Sequence, residues 1–251
     1  MLDGVKKCSE AMLGLQANLE VVANNIANAN TAGFKKDEGI VFSAIYNSAM
    51  ANEGFMPVGG AEKLGEELSY GTMVNFKPGS LKKTDNIANL SIVDSDGKNF
   101  FTLQAEDGVL FTRSGDFKFD SDGYLTTKEG IKVMGQNGAI RATSPDFKVT
   151  KEGKIVVDGK EVDSLLITSF KDARYLKKAG NNNFQAYEKA GAHVASKYNI
   201  AQGYIESANV NVLKEMVEMM NIMRSYEANQ KILQTADQNL QKSIDISRIR
   251  G

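Results

Sequence analysis

Seven-residue spacing at the start of the chain constrains its fold more than any other feature. Val5, Met12, Leu19 and Ile26 stand seven apart, and Cys8, Leu15, Val22 and Ala29 interleave at offsets of three and four. Such an unbroken a/d repeat predicts a helix that packs along a second helix. Gly33 follows at a spacing that suits a helix C′ position, where positive φ is required. An amphipathic helix lying on a globular core gives a similar pattern, so the far end of the chain has to decide between the two.

There, a second apolar repeat runs through Val212, Met216, Met219, Met223, Tyr226, Leu233, Leu240 and Ile244, interrupted by Gln230 and Asp237. Polar residues in a seam cost stability and fix register or oligomeric state. Other apolar residues fall off this line, at Leu213, Val217, Met220, Ile222, Ile232 and Ala236. A helix of about thirty residues with more than one apolar face needs more than one neighbour. Ser207, Asn209 and Asn211 offer capping oxygens ahead of it. The chain thus begins and ends in long helices. Pairing them is the intrachain solution, and the apolar surface left over points to other subunits.

Between the helices the period changes to that of strands. Leu90–Val93, Phe100–Gln104, Val109–Thr112, Asp116–Phe119, Ile131–Met134, Lys154–Val157 and Leu165–Phe170 are rich in β-branched and aromatic residues. Asp-Gly, Asn-Gly and Glu-Gly pairs punctuate them, as at Asp158-Gly159 and Asn137-Gly138, and supply the positive φ of tight hairpins. The result is an antiparallel β domain set between two terminal helices, an α+β fold. The expected division is residues 1–34 with 200–251 as the helical part, 35–75 as a transition, and 76–199 as the β-rich part. Within the transition, Val41–Tyr46 reads as a short helix or a strand. Gly54, Pro57, Gly59 and Gly60 mark a loop, and Ala61–Leu68 reads as a short helical turn.

Chemistry is hard to find. Thirty basic residues against thirty-one acidic leave a formal charge of −1, which gives no electrostatic case for nucleic acid or an anionic membrane. One cysteine rules out an intrachain disulfide framework, and Cys8 reads as a small buried apolar residue. A single histidine, His193, makes histidine-based metal or triad chemistry hard to build. The Asp-Ser-Asp-Gly turns at 94–97 and 120–123 invite a calcium reading. Aligned as EF-hand loops, however, they place Ile92 or Lys118 where the first carboxylate ligand must stand. Phosphate-binding, dinucleotide, zincin and serine-hydrolase patterns are missing from the sequence. Catalytic, cofactor and metal sites are therefore expected to be none. No apolar run reaches the length of a membrane span, and no secretory signal pattern is visible at the N-terminus.

The two ends carry a resemblance. Residues Asn24 to Lys35 (NNIANANTAGFK) are similar to the N-terminal signature of the bacterial flagellar rod and hook axial proteins. Residues Gly203 to Asn211 (GYIESANVN), Glu215 to Val217 and Arg224 to Lys231 (RSYEANQK) resemble the C-terminal signature of that family. Gly108 to Phe117 (GVLFTRSGDF) and Asp122 to Thr126 (DGYLT) extend the likeness into the middle, and it thins between about 37 and 75.

The resemblance implies a structural subunit of the flagellar basal-body rod, the axial driveshaft between rotor and hook. Its terminal helices would form an inner tube and its β domain would lie outside. It implies export through the flagellum's own type III apparatus without a cleaved signal, and partners that are copies of itself, other axial proteins and the export apparatus. A hook protein would need a larger outer domain than 251 residues leave room for. The stretch Leu165 to Gly180, with FKDARYLKK inside it, favours the proximal over the distal rod type.

On that reading Val5, Met12, Leu15, Leu19, Val22 and Ile26 pack against Met216, Met219, Met223, Tyr226 and Leu233, partly within one subunit and partly between subunits. Asn24, Asn25, Asn28 and Asn30 crowd the end of the first helix, where their amides either reach across an interface or cap a fraying end. Asn209, Asn211 and Asn229 belong to the C-terminal motif and join the expected interface. Methionine suits a surface that meets non-identical neighbours. A different class, an oligomeric β-rich binding module, would need an aromatic groove, and the chain has no Trp.

Overall fold

A computed structural model describes residues 2–43, 58–63, 68–106, 108–142 and 147–249. Two helices run antiparallel, α1 (Leu2–Ala27) and α2 (Val212–Ile249). Their register is set by Cys8 against Asn229 near one end and Asn25 against Glu215 near the other. Asn211 caps α2, its Oδ1 accepting the Lys214 amide at 3.1 Å, which satisfies one of the donors a helix start leaves free.

Helix α1 stops at Ala27, well short of Gly33. Asn28 turns back to donate its side-chain amide to the Asn24 carbonyl at 3.0 Å, a local bond of the kind that competes with helix propagation. Gly33 does have positive φ, at 68°, but it serves a turn outside the helix and donates its amide to the Glu206 carbonyl.

The line of α2 residues that faces α1 is also displaced from the apolar repeat. Glu215 and Ile222 are buried and Met219, Asn229, Leu233 and Ala236 half-buried, while Met216 and Met223 remain almost half exposed. Gln230 and Asp237 are exposed and so do not interrupt the intrachain seam. A hydrophobicity pattern passes over Glu215 and Asn229, which hold seam positions through hydrogen bonds instead of apolar contact.

Beyond α1 the chain forms β1 (Asp37–Ser43), β2 (Val58–Lys63) and β3 (Leu68–Val74), a three-stranded sheet with β3 central. Residues 41–43 are therefore strand, and 44–46 lie outside the described residues. The helical turn expected at 61–68 is not formed: residues 61–63 belong to β2 and Leu68 begins β3, with 64–67 outside the described residues. Pairing of Asp37 with Val74 through Ser43 with Leu68 holds the chain extended here.

The connections into and out of the β domain run side by side. Outgoing β4 (Leu81–Lys83) and β5 (Leu90–Val93) pair with returning strands Tyr204–Glu206 and Asn199–Gln202. The main sheet is built on β6 (Asn99–Ala105), with β7 (Gly108–Thr112) along one edge and strands Ile167–Phe170 and Lys132–Gly135 along the other.

Phe100 and Phe101 are adjacent on β6 and point to opposite faces, both fully buried. Phe101 joins Leu103, Leu125, Val133, Ile155 and Leu165 in the larger core. Phe100 meets Phe76, Phe170 and Phe184 edge-on, at centroid separations of 5.4–5.7 Å, in a smaller aromatic core. Each buried Phe contributes about 1.5–3 kcal/mol of burial. The turns follow the residues: Asp158 and Gly159 both take positive φ between two paired strands. The carboxylate of Asp120 accepts the amides of Asp122 and Tyr124 and so stabilises its own turn.

Candidate assembly surface and the junction that orients it

Where the helices meet the β domain, charged groups are buried. Arg113, just after β7, is almost wholly enclosed and uses every donor of its guanidinium. Nε and Nη2 donate to Glu206 Oε2 at 3.0 and 2.7 Å, Nη1 and Nη2 to the Asp94 carboxylate at 2.8 and 3.0 Å, and Nη1 also to the Asn99 carbonyl at 2.6 Å. Lys35 donates to Glu206 Oε1 at 2.5 Å and to the Lys77 carbonyl at 3.0 Å, and the Gly79 amide reaches the same Oε1. Two cations thus face two carboxylates in a site closed to water. Burial pushes the Lys35 ammonium below its usual pKa, against the opposing pull of Glu206. Burial also works against the Arg113 charge, but Glu206 and Asp94 outweigh it and hold its pKa above the ordinary value.

A second network lies on the α1 side. Asn25, fully buried, treats Asp37 as a strand neighbour would. Its Nδ2 donates to the Asp37 carbonyl at 2.8 Å, its Oδ1 accepts the Asp37 amide at 2.9 Å, and Nδ2 also reaches Glu215 at 3.1 Å. Lys36 donates to the other oxygen of Glu215 at 2.6 Å. Asn209 accepts the Lys36 amide and donates to the Asn75 and Lys77 carbonyls. Lys178 bridges Asp37 and the Lys35 carbonyl. These bonds tie α1, β1, the start of α2 and the β domain into one unit, fixing the angle at which the helical pair leaves the β domain.

Tyr70 on β3 belongs to the same unit, its hydroxyl donating to Asn18 at 3.2 Å. Burial, with the Asp37 and Glu20 carboxylates adding to it, pushes its pKa up to about 12. The folded state therefore holds this proton after the unfolded chain has lost it. The stability so contributed is complete below the ordinary value of 10 and is lost as pH rises from 10 through about 12. An ultraviolet titration of the eight tyrosines should show a late component near pH 12 that Tyr70→Phe removes.

The residues expected from sequence fall into four groups. Val5, Met12, Leu15, Leu19 and Ile26 are half-buried and Val22 is buried; they share the seam with Met219, Asn229 and Leu233. Asn25, Asn209 and Asn211 are used inside the chain, the first two in the junction and the third as a cap. Asn24, Asn28 and Asn30 border an open cleft of about 620 Å³ between the end of α1 and the β-domain turn at 180–183. Met216, Met223 and Tyr226 face outward, and with Leu213, Val217 and Met220 they leave the base of α2 apolar and uncovered.

Sequence reasoning missed the ionic core of Lys35, Asp94, Arg113, Glu206 and Glu215. Four of the five stand inside the quoted motifs, so the motifs themselves were the available signal.

Comparison with known proteins matches the same stretches. Family models described as flagella basal body rod protein, flagellar hook protein FlgE/F/G D1 domain, and flagellar basal body rod FlgEFG protein C-terminal match residues 9–35, 95–157 and 201–246. The first holds Asn25 and Lys35, the second Arg113, and the third Glu206, Asn209 and Glu215, so each match supplies part of the junction. The flagellar basal-body rod protein FlgG of Agrobacterium fabrum is 31% identical over 89% of this chain and 91% of its own length. FlgG of Bacillus subtilis is 29% identical over 99% of this chain and 100% of its own length. The flagellar hook-basal body complex protein FlhO of Bacillus subtilis is 27% identical over 97% of both.

Proposed function

The chain belongs to the flagellar basal-body rod protein family, and on that premise we propose that the uncovered apolar face of α2 is the surface by which it assembles. The protein is a structural subunit of the rod. The observation that carries the assembly reading is exposure: Leu213 is 76% exposed, and Met216, Val217, Met220 and Met223 follow along the same helix at 46–52%. A strip of this kind on a single subunit marks an interaction surface. The intrachain seam is already occupied by α1, so this second face is free for neighbours. Contacts between different faces of successive subunits generate a helical filament, whereas a self-complementary contact would close on itself and stop growth.

Within this reading the half-buried α1 residues, from Val5 to Ile26, serve both the intrachain seam and the edges of intersubunit contacts. The cleft beside Asn24, Asn28 and Asn30 offers amides to an adjoining chain. Other axial proteins and the export apparatus are its partners, its place is the basal body, export proceeds without a cleaved signal, and its role is mechanical and not catalytic. The lean towards the proximal type rests on residues 165–180, and electron microscopy of basal bodies labelled at the β domain reads the zone directly.

The test is a strain whose chromosomal copy carries Val217→Asp with Met220→Asp. Both sites are about half exposed, so the isolated protein should melt within about 0.5 kcal/mol of wild type. Basal bodies truncated at the rod and loss of swimming, with the protein still made, are the expected result. Normal swimming would sink the assembly reading.

A further inference from the structure

Of all the asparagines in the chain, only Asn137 is followed by glycine. It is exposed and forms, with Gln136, the turn between strands Lys132–Gly135 and Gly138–Ala139. The second strand is two residues long, pairing Gly138 with Gly135 and Ala139 with Met134, so local opening at Gly138 breaks few bonds. A Cβ built on Gly138 would meet nothing within 4 Å, so nothing crowds this residue. What restrains the turn is a carboxylate. Asp163 Oδ1 accepts Asn137 Nδ2 at 3.0 Å, the Asn137 amide at 3.3 Å and the Ser164 amide at 2.8 Å. The Gln136 amide donates to the Ser164 carbonyl at 2.9 Å. The hairpin tip is thus fastened to the end of the strand Lys160–Ser164.

We propose that Asn137-Gly138 is a site of spontaneous deamidation, restrained by Asp163 in the new chain and unfastened once it has reacted. The Gly138 backbone nitrogen gives its proton to water and bonds to Asn137 Cγ. The bond from Cγ to Nδ2 breaks, and Nδ2 leaves as ammonia. Glycine allows this because it has no side chain to crowd the attacking nitrogen. Water then opens the cyclic imide at either of its carbonyls. One opening leaves aspartate at 137, and the other leaves isoaspartate, whose main chain runs through the former side chain. One water is consumed and one ammonia released. Ring closure swings the side chain onto its own chain neighbour and so gives up the bond to Asp163, which is how that bond delays it. After reaction a carboxylate stands where the amide donor stood, facing Asp163, and the two like charges repel. The restraint cannot re-form, and the hairpin tip stays loose. The change accumulates with the age of the folded chain and does not depend on the rod reading.

The experiment incubates the full-length protein in mildly alkaline buffer and follows the tryptic peptide 133–141 by mass spectrometry, with isoaspartyl methyltransferase to detect isoaspartate. Conversion of amide to acid at Asn137 is the expected result, while Asn181, an exposed turn asparagine followed by Asn182, stays an amide. Asp163→Ala should speed conversion about two- to tenfold, the rate equivalent of one net hydrogen bond. Asp163→Asn keeps an acceptor and should stay near the wild-type rate. Asn137→Asp imitates the product and should lower the melting midpoint, and Asp163→Asn added to the same chain should return most of that loss. Circular dichroism checks that each variant is folded. No conversion of folded wild type over a period in which the urea-unfolded chain reacts completely would overturn the site. A folded Asp163→Ala that reacts at the wild-type rate would overturn the restraint. Should Asp163→Ala not fold, the two melting midpoints decide: an Asn137→Asp chain as stable as wild type would overturn the loosening of the hairpin.

Discussion

Glu206→Ala lowers the stability of the isolated protein by about 3–5 kcal/mol, measured as the shift in denaturation midpoint at constant slope. The magnitude follows from what is left behind. Arg113 keeps Asp94, but its Nε and one bond of Nη2 lose their acceptor, and Lys35 loses the carboxylate it is paired with. Both cations are buried where water cannot replace what was removed, and stranding a buried charge costs far more than a surface pair is worth. Glu161→Ala, which breaks an exposed pair with Lys154, is the control and should leave the midpoint where it is.

The same variant carries a pH signature. Burial already holds the Lys35 pKa below its usual value, with Glu206 pulling it up; without Glu206 it falls further. A lysine whose folded pKa is depressed costs stability while protonated and returns it as pH rises towards the unfolded value near 10.5. The gap between Glu206→Ala and wild type should therefore narrow between neutral pH and pH 10. A gap that stays constant would mean that the loss is one of packing and not of charge.

How much of this was legible depends on how far apart the interacting residues lie. The helices and hairpins declare themselves within a few residues, through seven-residue spacing on α1 and through pairs such as Asp158-Gly159. The end of α1 was misplaced because Asn28 rebonds to Asn24 and ends the helix before the apolar spacing does. The α2 seam was placed one column away because Glu215 and Asn229 hold their positions by hydrogen bonding, which a hydrophobic pattern does not register. The ionic junction was out of reach for a different reason. Lys35 and Glu206 are separated by 171 positions and Arg113 and Glu206 by 93, and no local pattern in a chain of mixed charge says which lysine meets which glutamate. The family motifs contained these residues without revealing that their charges are buried together.

Gly33→Ala is expected to cost about 2–5 kcal/mol, and the reason lies in the backbone. Two effects add at this position. The residue has φ of +68°, and a side chain there costs about 1–2 kcal/mol in the left-handed region. A Cβ would also stand within 2.4–2.6 Å of the Ser114 amide, the Ser114 Cα and the Arg113 carbonyl carbon, and forcing atoms into such a space costs about 1–3 kcal/mol more. Backbone atoms cannot rotate away as a flexible side chain would, so relief requires the turn at 28–33 to move off the segment that carries Arg113. Gly159→Ala separates the two effects, because its φ is +74° but its Cβ would meet nothing within 4 Å. It should cost only the conformational share, about 1–2 kcal/mol. Because Gly33 sits directly against the residues that carry Arg113, its substitution should also weaken the ionic junction. The two variants Gly33→Ala and Glu206→Ala combined should then lose less than the sum of their separate losses, by at least about 0.5 kcal/mol. Strict additivity would mean that the close approach at Gly33 and the buried charges act independently, and that the junction is two structures instead of one.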